Sequence, residues 1–350
     1  MSGGFGFLKY KEQAQVQRFQ NTDVEYRTSW SNIWDILKAY VTTERRHATP
    51  ESPIPVKSMN LQSLLAGYED ELYRLGHSTV LMRLGGKFFL TDPVFSERAS
   101  PVSWAGPKRF HQSPIALDQI PELRAVIISH NHYDHLDKKS IKALDSHVET
   151  FVVPMGVSRQ LIKWGVDQNK IVELNWWQSI QFDDIEVVAT PAQHFSGRGL
   201  FERDKTLWAS WVIKSSETRL FFSGDTGYFE GFKEIGEKYG PFDVTLMEMG
   251  AYNPLWKEIH MLPEQSVKAH FDLKGKAFLP IHNGTFDLSL HDWFEPLELS
   301  YQLTKNTGTT LLTPVFGEAV SLKSPKNSLA WWREDYQSDT QDTFEVVMER

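Results

Sequence analysis

A short segment of the sequence is crowded with side chains that bind metal ions. Residues 130–135 have the sequence His-Asn-His-Tyr-Asp-His. A single serine separates them from the apolar stretch at residues 125–128. In an extended chain alternate side chains share a face, so His130, His132 and Asp134 can converge on one side. A turn into a helix after them can bring His135 toward the same place. Imidazole nitrogens and carboxylate oxygens are good zinc ligands, so the segment predicts a metal site.

Two metal ions are predicted, because four ligand-type side chains in six residues exceed what one catalytic zinc takes from a protein. Further ligands are expected just after later apolar stretches, where sheets of α/β proteins collect their sites. His194, Asp225 and His282 occupy such positions. Each is a weak indication alone, since a single histidine is more often an ordinary polar group. Together and in this order, the three residues are a strong indication of a metal site.

Stretches of apolar or alternating residues predict the strands that carry these side chains. The predicted strands cover residues 72–77, 79–84, 87–91, 125–128, 151–153, 185–189, 208–213, 219–222 and 277–281. Helical spacing of apolar residues predicts helices at 31–41, 138–144, 157–164, 229–238, 264–271 and 294–305. Early hairpins followed by strands that alternate with helices indicate an α/β protein whose sheets are covered by helices. Residues 1–70 are predicted to be an extension that packs on the core, and residues 71–350 the main domain.

The composition excludes several kinds of site and partner. The 350 residues include no cysteine, so disulfides are excluded and a metal site must use His, Asp or Glu. The formal net charge of −8 argues against nucleic-acid binding through a general positive field. The N-terminus lacks a basic region followed by an apolar one, and no run of 18 apolar residues occurs. The expectation is a cytoplasmic protein, with peripheral membrane contact and a homodimer left open.

The order of these candidate ligands resembles the metallo-β-lactamase superfamily. The resemblance implies an αββα sandwich, classed as α/β or α+β, with a dinuclear zinc site at one edge. It also implies how the ligands are divided: His130, His132 and His194 hold one Zn²⁺, Asp134, His135 and His282 hold the other, and Asp225 bridges the two. Iron or manganese suits the same ligands. Asp92 resembles the family's first acidic motif, whose residue orients a ligand histidine, and His77 is a plausible neighbour.

Longer motifs resemble the branch of this superfamily that contains the N-acyl-phosphatidylethanolamine-hydrolysing phospholipase D. They lie at residues 76–80, 91–101, 106–110, 129–137, 191–194, 224–228, 250–254, 260–264 and 282–286. The resemblance implies hydrolysis of a glycerophospholipid to phosphatidate and an N-acylethanolamine. It also implies that Tyr133 and His260, which match substrate-contacting residues, bind the phospholipid. Two departures, Asn283 in place of an aromatic residue and a different loop at 195–201, are expected to shape the pocket.

The predicted activity is hydrolysis of a phosphodiester bond with two Zn²⁺ per chain. The catalytic candidates are Asp134, Asp225 and His260. Asp225 could orient the attacking water, and His260 could protonate the leaving alkoxide. Arg198 could reach a phosphate, although a loop arginine is more often solvated. The expected substrate is a small molecule or a phospholipid.

Two other functions remain open from the sequence alone. The first is a lactonase or another carboxyl-ester hydrolase on the same fold, because attack on a carbonyl would use the same metals. The second is a non-enzymatic metal-binding or sensor protein, against which the intact ligand set argues. A nuclease is less favoured, because no basic groove or second nucleic-acid domain is visible.

Overall fold

The computed structural model describes residues 18–24, 30–199 and 201–334 of the chain. The parts of the predicted extension and main domain at residues 1–17, 25–29, 200 and 335–350 lie outside the described residues. Fourteen strands occur within the described ranges: β1 (Glu71–Gly76), β2 (Thr79–Leu84), β3 (Lys87–Thr91), β4 (Leu123–Ile127), β5 (Phe151–Pro154), β6 (Ile171–Leu174), β7 (Ser179–Phe182), β8 (Ile185–Thr190), β9 (Ser210–Lys214), β10 (Arg219–Phe222), β11 (Phe242–Glu248), β12 (Gly275–Ile281), β13 (Thr310–Leu311) and β14 (Ala319–Ser321).

The strands form two mixed sheets of seven strands each. The first sheet has the order β14-β1-β2-β3-β4-β5-β6, and the second has the order β13-β12-β11-β10-β9-β8-β7. In the first sheet β3 to β6 are parallel, and in the second sheet β10 to β13 are parallel. Since β9 is antiparallel to both of its neighbours, β8 runs in the same direction as β10. The loops after β8, β10, β11 and β12 therefore leave the second sheet at one edge.

Helices cover the outer faces of both sheets. The described α-helices are α1 (Trp30–Thr42), α2 (Leu61–Ala66), α3 (Lys138–Leu144), α4 (Ser158–Trp164), α5 (Gly231–Tyr239), α6 (Pro263–Asp272) and α7 (Glu295–Thr304). Residues of α3 and α4 pack on the first sheet, and residues of α5 and α6 pack on the second. A third apolar core lies between the sheets. The layers confirm the predicted αββα sandwich. None of the helices within the described ranges is both long and apolar enough to cross a bilayer.

Strand β2 shows why the strands of this fold are apolar on both faces. Its alternate residues Val80 and Met82 face the core between the sheets, whereas Leu81 faces the helix-covered side. All six residues of β2 are buried, including Arg83, whose guanidinium donates to the carbonyl oxygen of Leu64 at 2.8 Å. Strands covered on both faces read as nearly continuous apolar runs. This pattern makes them recognisable in the sequence.

The described part of residues 18–70 lies against the two-sheet core. Val56 pairs with Phe316 in an isolated bridge, and Leu64 of α2 is buried in the outer core of the first sheet. Tyr40 of α1 stacks on Trp256 at a ring-centroid distance of 6.4 Å. These contacts place the segment on the core, while the boundary predicted at residue 70 stays a prediction.

The predicted strands and helices agree with the structure to within two residues at each end. The sequence patterns do not predict α2, β6, β7, β11, β13 and β14. The most important of these is β11, which mixes Asp243, Thr245 and Glu248 with apolar residues and so presents no apolar run. These polar residues find partners from distant segments, as when the hydroxyl of Thr245 bonds with Nδ1 of His270 at 2.7 Å. Such partners are invisible to local patterning.

The core between the sheets can be tested with a matched pair of leucines. Leu246 of β11 is 1% exposed there, and Leu246→Ala is expected to lower the free energy of unfolding by about 2–5 kcal/mol because a cavity remains. Leu329 is 86% exposed, and Leu329→Ala should change it by less than about 0.5 kcal/mol. Urea denaturation followed by circular dichroism measures both. Equal unfolding midpoints for the two variants would contradict the assigned core.

Candidate metal centre

Loops at one edge of the sandwich bring all seven predicted metal ligands together. The segment with the first four follows β4, and His194, Asp225 and His282 follow β8, β10 and β12 respectively. His77 comes directly after β1 and Glu248 ends β11. His77 and His282 have positive φ angles of 48° and 64°, a backbone conformation that turns the chain sharply where the strand ends. Both side chains are thereby directed to the same place.

The ligands form two adjacent groups, each compact enough for one ion. One group contains His130, His132, His194 and Asp225, and the other contains His77, Asp134, His135 and His282. Within each group one possible ligand atom per residue lies within 4.8 Å of the others. The division is the one that the family resemblance implies, with His77 as an additional member of the second group.

The carboxylate of Asp225 lies between the two groups. Its Oδ2 is 3.1 Å from Nε2 of His135 and 3.1 Å from Nε2 of His282, which belong to the second group. The same oxygen is 3.7 Å from Nε2 of His130 and 3.9 Å from Nε2 of His194, in the first group. One carboxylate oxygen thus approaches four imidazoles, which is the position expected of a bridging ligand.

Burial sets the charge state of the first group. It lowers the pKa of His130 and His194 well below the usual range, and it lowers the pKa of His132 to about 4. These imidazoles are therefore neutral near pH 7. Neutral imidazole is the form that binds a metal ion.

At His135 and His282 of the second group, the neighbouring carboxylates outweigh burial. Burial opposes a charge on His282, but Asp225 and Asp134 raise its pKa to about 10. The same carboxylates raise the pKa of His135 well above its usual value. Burial also opposes ionisation of the aspartates, yet His135 holds the pKa of both well below the usual range. Two buried carboxylates thus require positive charge beside them, which divalent ions would supply.

Four buried atoms of the seven candidate ligands make no hydrogen bond to any of the described residues. They are Nε2 of His135, both ring nitrogens of His282 and Oδ1 of Asp225. A buried polar atom left unpaired costs about 1–3 kcal/mol. The Nε2 atoms of His135 and His282 lie 3.1 Å from Oδ2 of Asp225 without a hydrogen-bonding geometry, and a metal ion would take the place of a proton on each of them. The donor set and these atoms therefore fit two divalent ions.

The second nitrogen of key ligand histidines is held by a hydrogen bond. Nδ1 of His135 lies 2.7 Å from Oδ2 of Asp92, which also accepts from the hydroxyl of Ser129 at 2.6 Å. Nδ1 of His194 donates to the carbonyl oxygen of Ile259 at 2.8 Å. These bonds direct the Nε2 atoms to the centre of the site. Asp92 thus lies behind a ligand histidine, where its motif places it.

A residue far from the motifs holds the backbone of His194. Oδ1 of Asn21 accepts from the N–H of His194 at 3.0 Å, and Nδ2 of Asn21 donates to the carbonyl oxygen of His194 at 2.9 Å. Oδ1 of Asn21 also accepts from the indole N–H of Trp208 at 3.0 Å. The segment at residues 18–24 therefore supports a candidate ligand, and no local pattern in the sequence indicates this.

Arg198 holds the loop of candidate ligands in place through three backbone carbonyl groups. Its Nη1 lies 3.0, 3.3 and 2.6 Å from the carbonyl oxygens of Asn131, His132 and Leu136. Its guanidinium lies over the ring of Tyr133, 3.8 Å from the centroid. The guanidinium is committed to the protein because the carbonyl groups of this tight loop need buried donors.

Tyr133 lines a cavity of about 410 Å³. Its hydroxyl donates to the carbonyl oxygen of Arg198 at 2.9 Å. The charged residues around the cavity are five basic ones and three acidic ones: Arg98, Lys138, Lys139, Lys163 and Arg198, with Glu97, Asp137 and Glu202. This surplus of basic groups suits an anionic ligand, although the whole chain is acidic. The substrate role of Tyr133 stays a prediction.

Asn283 braces the loop that carries His282. Its Nδ2 donates to the carbonyl oxygens of Met249 and Ile281, and its Oδ1 accepts from Arg74 at 2.8 Å. The amide is occupied by protein groups, and the expectation that Asn283 shapes the pocket stays a prediction. Asn283 acts on the site through the position of the loop.

Glu248 belongs to the site but is not predicted from the sequence. It is fully buried, and burial together with the charge of Asp225 raises its pKa well above the usual value. One of its oxygens bonds with Nδ1 of His260, whose pKa burial lowers to about 4. An acidic residue after alternating apolar ones, as at 242–248, is the signal that could have revealed it.

Comparison with known proteins identifies the family. Residues 87–283, more than half of the chain, match the model of the β-lactamase superfamily domain. The chain belongs to the metallo-β-lactamase superfamily, and the class that its fold and site define is a metal-dependent hydrolase. Within the superfamily it is similar to the branch of the N-acyl-phosphatidylethanolamine-hydrolysing phospholipases D.

Three relatives show the extent of the similarity. An uncharacterised protein of Mycobacterium tuberculosis is 43% identical over 310 residues, which cover 86% of this chain and 80% of that protein. The N-acyl-phosphatidylethanolamine-hydrolysing phospholipase D 1 of Caenorhabditis elegans is 38% identical over 233 residues, 63% of this chain and 65% of that enzyme. The structure of Igni18, a metallo hydrolase from Ignicoccus hospitalis, has a TM-score of 0.54 at 20% identity and covers 72% of this chain and 98% of that one. At this identity the structural match shows the fold alone.

Metal content should distinguish ligands from other histidines. The wild-type protein is expected to bind two divalent ions per chain, and His194→Ala should bind one or fewer because the first group loses a ligand. His147→Ala, at a half-buried histidine beside Glu122, should keep two ions. Mass spectrometry of metals after dialysis against zinc measures the content. Two ions retained in His194→Ala would exclude that residue as a ligand.

The loop-holding role of Arg198 predicts an effect on metal affinity. Arg198→Lys replaces the planar guanidinium with an ammonium group, which cannot hold the three carbonyl oxygens in the same way. The affinity for zinc should therefore fall by about 10–100-fold. The matched change Arg159→Lys, at an exposed residue of α4, should leave the affinity unchanged. Competition with a chromogenic chelator measures both. Unchanged zinc affinity in Arg198→Lys would show that the loop holds its shape without the guanidinium.

Proposed function

We propose that the protein is a phosphodiesterase of the phospholipase D type that uses two Zn²⁺ per chain to hydrolyse glycerophospholipids of the N-acyl-phosphatidylethanolamine type. The observation that carries the proposal is the pair of ligand groups sharing Asp225, in a chain whose motifs match that phospholipase branch. Because the chain covers 65% of the Caenorhabditis elegans enzyme, the substrate belongs to the proposal.

The proposed ligands are those of the two groups, with one carboxylate shared: His130, His132 and His194 for one ion, Asp134, His135 and His282 for the other, and Asp225 between them. Bound divalent ions supply Lewis acidity, which neutralises phosphate oxygens and lowers the pKa of water. Zinc is proposed because neutral imidazoles and carboxylates are its usual ligands, and the same donors suit iron or manganese.

The carboxylates and His260 supply the remaining chemistry. Oδ1 of Asp225 makes no hydrogen bond to the described residues and can accept one from the attacking water, which orients it. Oδ2 of Asp134 lies 3.1 Å from Nε2 of His77 and 3.3 Å from Nε2 of His282, so this carboxylate fixes both rings. The side chain of His260 is 15% exposed beside the ligands and can pass a proton to the leaving oxygen.

The surroundings of the ligands suit a molecule with a charged and an apolar part. On one side lies the cavity at Tyr133 with its surplus of basic residues. On the other, the ring of Phe195 lies 4.6 Å from that of His132 and packs with Trp256 and Ile259 in an apolar cluster. A phospholipid offers its phosphate to the ligands, beside the basic cavity, and an acyl chain to the apolar cluster. This combination favours a phospholipid over a small lactone.

Helix α1 supports contact with a lipid surface. Ile36 of this helix packs on the apolar cluster around Trp256. Trp34, Leu37 and Val41 point outward, with exposed fractions of 70, 52 and 86%. An outward apolar face beside the apolar side of the site fits peripheral membrane contact, because a lipid substrate must reach the site from a bilayer.

The test is turnover by the zinc-loaded protein of N-acyl-phosphatidylethanolamine, bis(p-nitrophenyl) phosphate and a panel of lactones. Both phosphodiesters should be hydrolysed, and Asp134→Asn should lose about 100-fold or more in kcat because a ligand charge is removed. Asp118→Asn, at an exposed aspartate, should match the wild type.

Each other result has a defined meaning. Hydrolysis of lactones alone would replace the proposal with a lactonase. Two bound zinc ions without turnover of any of these compounds would favour a non-enzymatic metal-binding protein. Turnover of the p-nitrophenyl compound alone would keep the phosphodiesterase and discard the lipid.

A further inference from the structure

Glu248 is a buried carboxylate that the two metal groups leave without a role. Its side chain is fully buried at the end of β11. Its Oε2 accepts from the backbone N–H of Thr226 at 2.7 Å, and its own N–H donates to the hydroxyl of Ser223 at 2.8 Å. Its carbonyl oxygen accepts from the hydroxyl of Ser266 at 2.5 Å. The side chain and the backbone of Glu248 are therefore fixed by the loop that follows β10 and by α6.

The other carboxylate oxygen of Glu248 bonds with Nδ1 of His260. The imidazole of His260 extends from this buried acid toward the ligands, with ring centroids 5.1 Å from His194 and 5.5 Å from His282. Since Nδ1 is occupied by the acid, the ring nitrogen left for other contacts is Nε2. His260 is the partly exposed member of the pair, at 15%, so Nε2 is the atom that a bound molecule can meet.

An acidic side chain in such surroundings needs close polar partners. Burying an unpaired polar or charged group is unfavourable, and the described contacts of the Glu248 side chain include no lysine or arginine. Its partners are one backbone N–H and one imidazole. The imidazole is thus the group whose orientation this acid determines.

We propose that Glu248 is a positioning residue that holds the ring of His260 through Nδ1, so that Nε2 of His260 protonates the leaving alkoxide. The inference rests on the proposed phosphodiesterase function. Hydrolysis consumes one water: its oxygen forms the new bond to phosphorus, and the electron pair of the broken P–O bond goes to the leaving oxygen. As the proton on Nε2 passes to that oxygen, Nδ1 takes the proton that it shares with Glu248, and the proton given up by water restores the pair. Glu248 holds the ring throughout.

A competing interpretation makes Glu248 a metal ligand. Possible ligand atoms of Glu248, His260 and His282 lie within 4.8 Å of one another. The contacts of Glu248 favour the positioning role, because one oxygen bonds with Nδ1 of His260 and the other accepts from the N–H of Thr226. The number of bound zinc ions separates the two interpretations.

The leaving group of the substrate provides the decisive readout. An N-acylethanolamine leaves as an alkoxide that needs a proton, whereas p-nitrophenolate is a stable anion that needs none. Glu248→Gln and His260→Gln in the zinc-loaded full chain should each lose about 100-fold in kcat on N-acyl-phosphatidylethanolamine, while staying within about threefold of the wild type on bis(p-nitrophenyl) phosphate. The double variant should be no slower than His260→Gln alone. Glu237→Gln, at an exposed glutamate of α5, should match the wild type on both substrates.

Three results would overturn the positioning role. A fall to one zinc ion in Glu248→Gln would make it a metal ligand. Losses that multiply in the double variant would make the two residues independent. Equal losses of kcat on both substrates would show that the substitution does not act on protonation of the leaving group.

A spectroscopic measurement separates this inference from the function on which it rests. If the wild type hydrolyses neither compound, the phosphodiesterase proposal fails, and proton NMR of the zinc-loaded protein still tests the pair. A strongly downfield, exchange-protected resonance should be present in the wild type and absent from both Glu248→Gln and His260→Gln. Its persistence in Glu248→Gln would show that Glu248 does not hold His260.

Discussion

The arrangement of side chains at this edge of the protein depends on one carboxylate that is buried among imidazoles. Asp225 is 4% exposed, and its Oδ2 approaches four histidines from two ligand groups. An ionised carboxylate in a dry interior is tolerated only when positive charge or strong donors surround it. The second group meets this demand with imidazoles that hold protons, and divalent ions meet it better. The convergence of ligands is therefore an electrostatic requirement as much as a geometric one.

The apolar cores of the fold offset the unfavourable free energy of burying such a cluster. Three apolar cores, one between the sheets and one under each helical layer, surround the strands whose ends carry the ligands. The loops that leave these strands are then fastened individually. Arg198 holds the loop after β4, Asn283 holds the loop after β12, and Asp92 holds His135. Each of these side chains is committed to the protein, which leaves the ligand atoms to face inward.

The parts of the site that are close together in sequence are predictable, and the parts assembled across the chain are not. His130, His132 and Asp134 alternate on an extended segment after an apolar strand, so their convergence follows from backbone geometry. Glu248 escapes prediction because β11 mixes polar and apolar residues and its partner His260 belongs to a later turn. The fastening role of Arg198 depends on carbonyl groups about 60 residues away, which residue type alone does not reveal.

Asn21 shows that the candidate metal centre needs a segment of the chain far from its ligands in sequence. It grips the backbone of His194 on both sides from a segment 173 residues earlier in the chain. A shortened chain limited to the family match at residues 87–283 would retain all seven predicted ligands and yet lose this grip. The length of chain that matches the family is therefore shorter than the length that holds the candidate metal centre in place.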